Sequence, residues 1–306
     1  MSLIAQAAAA AAGGQQYPTA TLYLVATPIG NLADLSLRAI HLLGLVDALA
    51  CEDTRQGAQL LRHFGLHKPL MAVHQHNEHE GAALVIARLA AGERVAYASD
   101  AGTPAISDPG AVLVQAVVAA GYRVLPLPGA SSAAAALSVA GDAAARSFAF
   151  QGFLPIKAGE RRAVLQAVLA VEQQSQILFE APHRIAELVA LLAELAPTRR
   201  VTLCRELTKQ FETVHTAEAV TLPAWLAADA QRLRGEFVLV LHAQAPQAPA
   251  DDALPAEAQR VLGLLLAELP LKQAVALAAQ ISAESRNRLY EAALQLKRQG
   301  DAADRT

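Results

Sequence analysis

Apolar runs of strand length alternate, along the first half of the chain, with longer stretches in which apolar residues recur at helical spacing. The first run, residues 21–26 (TLYLVA), is continuous rather than alternating, as in a strand buried on both faces of a parallel sheet. It stops at Thr27-Pro28-Ile29-Gly30-Asn31, and residues 35–46 continue with helical spacing. The pattern then repeats. Residues 48–50 end in Cys51-Glu52-Asp53-Thr54-Arg55 before a helix over 56–64. Residues 70–73 end in His74-Gln75-His76-Asn77-Glu78-His79-Glu80 before a helix to about residue 91. Residues 94–98 end in SDAGTPAISDPG (99–110) before a helix over 111–120, and residues 123–127 end in Pro128-Gly129-Ala130-Ser131-Ser132 before an Ala-rich helix. Such strand–loop–helix units in series predict a mostly parallel sheet covered by helices.

Ligands of such sheets sit outside the carboxyl ends of the strands, where these polar loops lie. The loop over 99–110 is longer than an ordinary strand-to-helix connection. Pro104 and Pro109 fix φ and remove two N–H groups, while Gly102 and Gly110 let the backbone come close to a ligand.

Beyond residues 141–146 the pattern changes. Strands are expected at 148–152, 177–180, 201–205, 212–216 and 236–242, with helices at 160–172, 184–195 and near 223–231. Strands 201–205 and 212–216 leave no room for a helix between them, so this second sheet is mixed or antiparallel. The expected organisation is a disordered tail (1–20), an N-terminal α/β domain (21–141), a second α/β domain (142–243), a Pro/Ala/Asp linker (244–254) and a helical region (255–306). Helices at 257–268, 271–280 and 285–297 fill the last region, and the turn between the final two has nearly helix-turn-helix length.

At 306 residues the chain has length for about two domains, and it is 54% hydrophobic and 17% charged. A net charge of −3 gives no global field to attract nucleic acid, so any polyanion site is a local patch. Two cysteines exclude a disulfide framework and suit a reducing, cytoplasmic setting. The N-terminal stretch lacks the basic region of a signal peptide, and no run is long enough to span a membrane.

Several chemistries are disfavoured. Neither a G-x-G-x-x-G nor a G-x-x-x-x-G-K-[ST] is present, which argues against dinucleotide binding and P-loop phosphate transfer. His74, His76 and His79, with Glu78 and Glu80, could be read as metal ligands, but no HExxH or cysteine ligand accompanies them, and a polar substrate loop or a solvated helix start is the better reading. Ser99, Ser107, Ser131, Ser132 and Cys51 are candidate nucleophiles without a G-x-S-x-G elbow, and Cys51 reads as core. A Gly/Pro/Ser-lined pocket with an acidic rim instead suits a neutral or cationic ligand with an adenosine-like plane. In the second domain, pairs such as Arg161/Arg162, Arg199/Arg200 and Arg232/Arg234 could together face phosphates.

The motifs TPIGN, CEDTR, HQHNE, SDAGTPAISDPG, PGASS, GFLP (152–155), APHR (181–184) and RELTK (205–209) occur in this order. Together they resemble the tetrapyrrole methylase superfamily, and within it the branch that methylates small-subunit ribosomal RNA. The similarity runs from Leu22 to Tyr290 and includes LPLKQAVALAAQI and NRLY near the end. The GDPxxYG-type loop of the wider superfamily is replaced by DAGTPAISDPG, as in the RNA branch, which argues against a porphyrin substrate. The resemblance implies two α/β domains with S-adenosyl-L-methionine in the cleft between them, a homodimer, and methyl transfer to the 2′-hydroxyl of a decoding-centre cytidine in 16S ribosomal RNA or the small subunit. Carried over by position, it implies cofactor contacts at Pro28, Gly30, Asp100, Gly102, Thr103, Pro104, Ile106, Ser131 and Ser132, and near Glu180, Ala181, Glu236 and Phe237.

Such a transfer needs alignment and removal of the hydroxyl proton, with no metal and no covalent intermediate. Glu52, Asp53, His74, Glu78 and Asp100 are the candidate bases. Asp53, Arg55, His76, Asn77 and Glu78 are expected to orient the ribose, and Arg184, Arg205 and Lys209 to meet phosphates. Two other readings use the same pattern: a methylase of a small molecule such as a tetrapyrrole, and a ribosome-assembly protein that binds RNA without catalysis.

Overall fold

The computed structural model describes residues 3–244 and 254–303. The chain divides into two compact units, Met1–Gln244 and Ala245–Thr306. The larger unit contains two five-stranded sheets.

The first sheet is built from β1 (Thr21–Val25), β2 (Ala48–Cys51), β3 (Leu70–Ala72), β4 (Arg94–Ala98) and β5 (Arg123–Leu127), in the order β3-β2-β4-β1-β5. All its pairings are parallel. β2 and β4 are almost wholly buried, as continuous apolar runs require. α1 (Leu3–Ala12), α2 (Leu37–Leu45) and α3 (Thr54–His63) build the core on one face. α4 (Glu78–Ala90) and α5 (Ala111–Ala119) build it on the other.

The expected disordered tail is a correction. Residues 3–12 form α1, which packs on α2 and buries Ala8 and Ala12. Tyr17 fastens the following turn, its hydroxyl donating to Ala12 O at 3.1 Å while its ring packs on Tyr23 and His41. The physical reason is that alanine combines the highest helix propensity with a side chain small enough for close packing, so the helix shows no large apolar stripe.

The second sheet, ordered β6-β7-β10-β8-β9, is mixed as expected. Its strands are β6 (Ser147–Phe153), β7 (Gln174–Glu180), β8 (Arg200–Arg205), β9 (Thr213–Glu218) and β10 (Phe237–Leu241). β6 and β7 are parallel; every other pairing is antiparallel. α7 (Ala158–Ala170), α8 (Ile185–Leu195) and the short α9 (Leu222–Ala227) cover one face. The helix expected near 223–231 is thus α9 followed by a 3-10 turn at Ala230–Leu233. α6 (Ser132–Ala140), drawn by sequence order into the first domain, lays Ala133, Ala136 and Ala140 on the other face of this second sheet. The helix after β5 therefore packs on the second sheet.

Asp142 ties two strands of this sheet. Its carboxylate accepts from the Ser175 hydroxyl at 2.7 Å and from the Ala243 N–H at 2.6 Å, joining the start of β7 to the end of β10. Burial pushes this carboxyl up, but the Ser175 and Ala243 donors outweigh it and hold it below its ordinary value.

In the smaller unit, α10 (Ala256–Glu268), α11 (Leu271–Ser282) and α12 (Arg286–Ala303) pack around Leu262, Val275, Ala278 and Leu289. Ala283 takes a left-handed conformation (φ 58°) in the turn between α11 and α12. The linker expected over 244–254 lies, apart from its two end residues, outside the described residues. Among the described residues no helix is long and apolar enough to cross a membrane.

Asp142→Ala is expected to lower the unfolding free energy by about 1–3 kcal/mol at neutral pH, as for a charged group stripped from its donors. A depressed carboxyl contributes stability that is complete above the unfolded value of about 3.9 and is lost as pH falls through the folded value. Urea denaturation should therefore show the variant and the parent converging at acid pH.

Candidate active site

The polar loops converge at the carboxyl ends of the first sheet, and backbone pairing splices the longest of them to its neighbours. Thr27 and Gly102 exchange two N–H···O bonds, at 2.9 and 3.1 Å. The Thr103 hydroxyl donates to Ala130 O at 3.0 Å, and the Gly110 N–H donates to Glu78 Oε1 at 2.8 Å. Asp100 ties the loop to α3, accepting from the Asp53 N–H at 3.1 Å and from Gln56 Nε2 at 2.8 Å. Within this frame Ala105 and Ser107 adopt positive φ (64° and 68°), as do Glu206 and Thr208 (53° and 68°) in the RELTK loop across the cleft. Left-handed non-glycine residues cost about 1–3 kcal/mol each and persist where their surroundings over-determine them.

Between the two loops lies a cavity of about 360 Å3. The first sheet contributes Gly102, Thr103, Ile106, Asp108, Ser131 and Ser132; the second contributes Glu180, Ala181, Glu236 and Phe237, the aromatic rings of Phe153 and Phe179, and Leu207. Gly102, Thr103, Ile106, Ser131, Ser132, Glu180, Ala181, Glu236 and Phe237 were all expected at the cofactor, and one wall or another of this cavity holds each. Pro28, Gly30 and Asp100 instead line a neighbouring cavity, and Pro104 is buried and lines neither. Gly30 (φ 149°) faces the second domain: a Cβ there would lie 2.5 Å from Lys209 Cγ.

Glu180 is the cavity's buried charge, with 0% of its side chain exposed. Its Oε1 accepts from the Ala181 N–H at 2.8 Å and lies 3.1 Å from Arg184 Nε, while its Oε2 is buried with no hydrogen-bond partner. Buried carboxylate oxygens are rarely left unpaired. An orphaned acceptor in a cavity walled by apolar rings and small residues fits a cationic ligand that carries a planar base, as S-adenosyl-L-methionine does.

Two carboxyls near the first sheet are raised. Burial pushes Asp108 up, the Ser99 hydroxyl opposes this, and Asp100 adds to it. Burial, then the charges of Asp100 and Asp108, push Glu52 up. Asp108 lines the cavity, and sequence reasoning missed it. The available signal was the repeated Ser-Asp pair, Ser99-Asp100 and Ser107-Asp108, within one loop.

The remaining expected residues are engaged within the fold. Asp53 caps α3 through the Arg55 N–H (2.8 Å) and binds the Arg55 guanidinium, which lowers its carboxyl to about 2 and makes it a weak base. Asn77 closes its own turn on His74 and Ala72, and Glu78 is held by the Gly110 N–H. His76 is exposed, its ring 6.1 Å from that of His74. Arg184 is turned inward, bound to Glu180 and donating to Leu154 O at 2.8 Å. The Arg205 guanidinium donates to the carbonyls of Arg234 and Phe211, and Lys209 pairs with Glu206 (2.9 Å) and Glu236 (3.0 Å). All three cations thus shape the cleft from within. Cys51 is buried and pushed up to about 11, first by burial and then by Asp100 and Asp53, which makes it a poor nucleophile.

This geometry has counterparts. Residues 21–223 match the family model of Tetrapyrrole (Corrin/Porphyrin) Methylases, and residues 252–297 match the RsmI C-terminal HTH domain. The ribosomal RNA small subunit methyltransferase I of Pseudomonas aeruginosa is 51% identical over 92% of this chain and 98% of its own. The chain belongs to that family. The protein of the same description from Escherichia coli O157:H7 is 47% identical over 90% of this chain and 94% of its own. Among solved structures, diphthine synthase superposes with a TM-score of 0.54 at 16% identity, covering 72% of this chain and 90% of its own. Cobalt precorrin-4 methyltransferase superposes with 0.52 at 15%, covering 72% and 94%. At that identity these structures speak for the fold alone. As a member of this family the chain is a methyltransferase that uses S-adenosyl-L-methionine.

Glu180→Gln is expected to weaken S-adenosyl-L-methionine binding by roughly ten- to hundredfold, the size of a lost charged hydrogen bond. Calorimetry measures this. Unchanged affinity in a folded variant would remove Glu180 from the cofactor site.

Proposed function

We propose that this protein methylates the ribose 2′-hydroxyl of a decoding-centre cytidine in 16S ribosomal RNA, acting on the small subunit as a homodimer. The observation that carries the reading is a cavity with an orphaned buried carboxylate on one wall and a raised carboxyl on the other, in a chain 51% identical to a small-subunit ribosomal RNA methyltransferase. The cofactor, when bound, would supply an electrophilic methyl on a sulfonium sulfur, whose leaving form is a neutral thioether. Residues lining the cavity on the second-sheet side would hold it: Glu180 by charge, Phe153 and Phe179 by ring contact.

Asp108 is the base of this reading. It replaces the candidates Asp53 and Glu78, whose carboxylates are already engaged. Its raised carboxyl has more affinity for the hydroxyl proton than an ordinary aspartate. Glu52, raised beside it, takes part in the same field. Pro104 and the left-handed Ala105 and Ser107 hold this segment rigid, so that alignment is built before the substrate arrives.

The direct test is transfer of labelled methyl from S-adenosyl-L-methionine to small subunits from cells lacking the enzyme, followed by nucleoside digestion. Label in 2′-O-methylcytidine supports the reading. Cofactor binding with no label on RNA would favour a small-molecule methylase instead. Asp108→Asn is expected to lower kcat by roughly 10²–10⁴-fold with cofactor affinity kept. Because the base must be ionised, the parent's kcat should rise with pH through the raised value of Asp108, an acid limb at higher pH than an ordinary aspartate gives. An acid limb that persists in Asp108→Asn would assign the base elsewhere.

A further inference from the structure

A second cavity, of about 300 Å3, opens beside the first at the carboxyl ends of β1, β2 and β4. The sheet order makes this a switch point. From β1 and β2 the chain leaves toward α2 and α3 on one face; from β4, which lies between them, it leaves toward α5 on the other. Diverging loops open a crevice there, where α/β sheets bind ligands.

Only the thickness of two loops separates the cavities. Pro28 and Gly30 line the second and Ile29 the first; Ser99 and Asp100 line the second and Ala101, Gly102 and Thr103 the first. The Thr27–Gly102 backbone pair holds that partition together.

The lining identifies the kind of occupant. Pro28, Leu32 and Leu60 supply apolar surface, Gln56 and Gln59 supply amides, and His63 supplies a ring. Gln56 gives its Nε2 to Asp100, which leaves its Oε1 as an acceptor, and Gln59 makes no side-chain hydrogen bond among the described residues. Neither lysine nor arginine lines the cavity, so a phosphate meets no such cation in it. Flat apolar surface with amides that both donate and accept matches a nucleobase and its Watson–Crick edge.

We propose that this second cavity receives the pyrimidine ring of the target nucleoside, splayed out of its strand, with Gln56 and Gln59 reading its edge. The ribose then lies at the partition, toward the cofactor cavity. The proposal rests on the RNA acceptor put forward above and deepens it by assigning the base a place. Extruding a base so that it can be read outside its stack is the general solution for enzymes that modify nucleosides.

Two variants test it on small subunits that the parent enzyme is first shown to methylate. Gln59 is exposed, so Gln59→Trp blocks the cavity without disturbing the core. The expected result is a KM for subunits raised at least about tenfold, with the cofactor Kd and Tm unchanged. Gln59→Ala should narrow the preference for cytidine over uridine at the target position by roughly tenfold, read on subunits carrying either base. Unchanged KM and unchanged base preference would overturn the proposal. So would a parallel loss of cofactor affinity, which would make this cavity part of the cofactor site. If the parent enzyme labels no RNA at all, the RNA reading itself fails, an outcome distinct from either of these.

Discussion

The backbone pair between Thr27 and Gly102 is the constraint on which the site depends. It fixes the turn after β1 to the loop after β4, so the two loops behave as one partition. A side chain at position 102 would have to adopt φ 83°, which L-residues do at a cost. From that anchor the loop reaches three further elements: α3 through Asp100, the PGASS turn through Thr103, and α4 through Gly110 and Glu78. Rigidity comes from many short bonds to neighbours, not from the prolines alone.

The second sheet closes the cavity by the same kind of mutual constraint. Glu206 and Thr208 are held at positive φ, and Lys209 lies over Gly30 while binding Glu206 and Glu236. Lys209 is held above its ordinary value: burial lowers it, and the two carboxylates more than offset that. Glycine at position 30 is thus a packing requirement of the opposite domain. The cleft is a place where each side's loop conformation is completed by the other.

Charge is distributed by the same logic. A fully buried carboxylate such as Glu180 requires a cation near it, and Arg184 answers that need from within its own loop. Arg205 and Lys209 likewise satisfy carbonyls and carboxylates of the cleft. The cations that a sequence reading assigns to phosphates thus also have partners within the cleft, and the acidic residues there divide into those already bonded, Asp53 and Glu78, and those with raised carboxyls, Glu52 and Asp108.

The sequence by itself determined the parallel first sheet, the mixed second sheet and the place where their loops meet. Continuous apolar runs ending in Gly, Pro and small polar residues encode strands and their termini locally, and the motif order carries the family. It did not determine α1, because alanine packs without a periodic signature. Nor did it place α6, whose small-residue face suits either sheet until the second one folds against it. Only the tertiary structure decided which charges are engaged and which remain for chemistry. Asp100 and Asp108 stand in one loop with the same side chain, yet one is bonded to the start of α3 and the other stands half-buried at the cavity wall. A carboxylate's role is set by burial and by the donors within reach, and those come from residues far away in the chain.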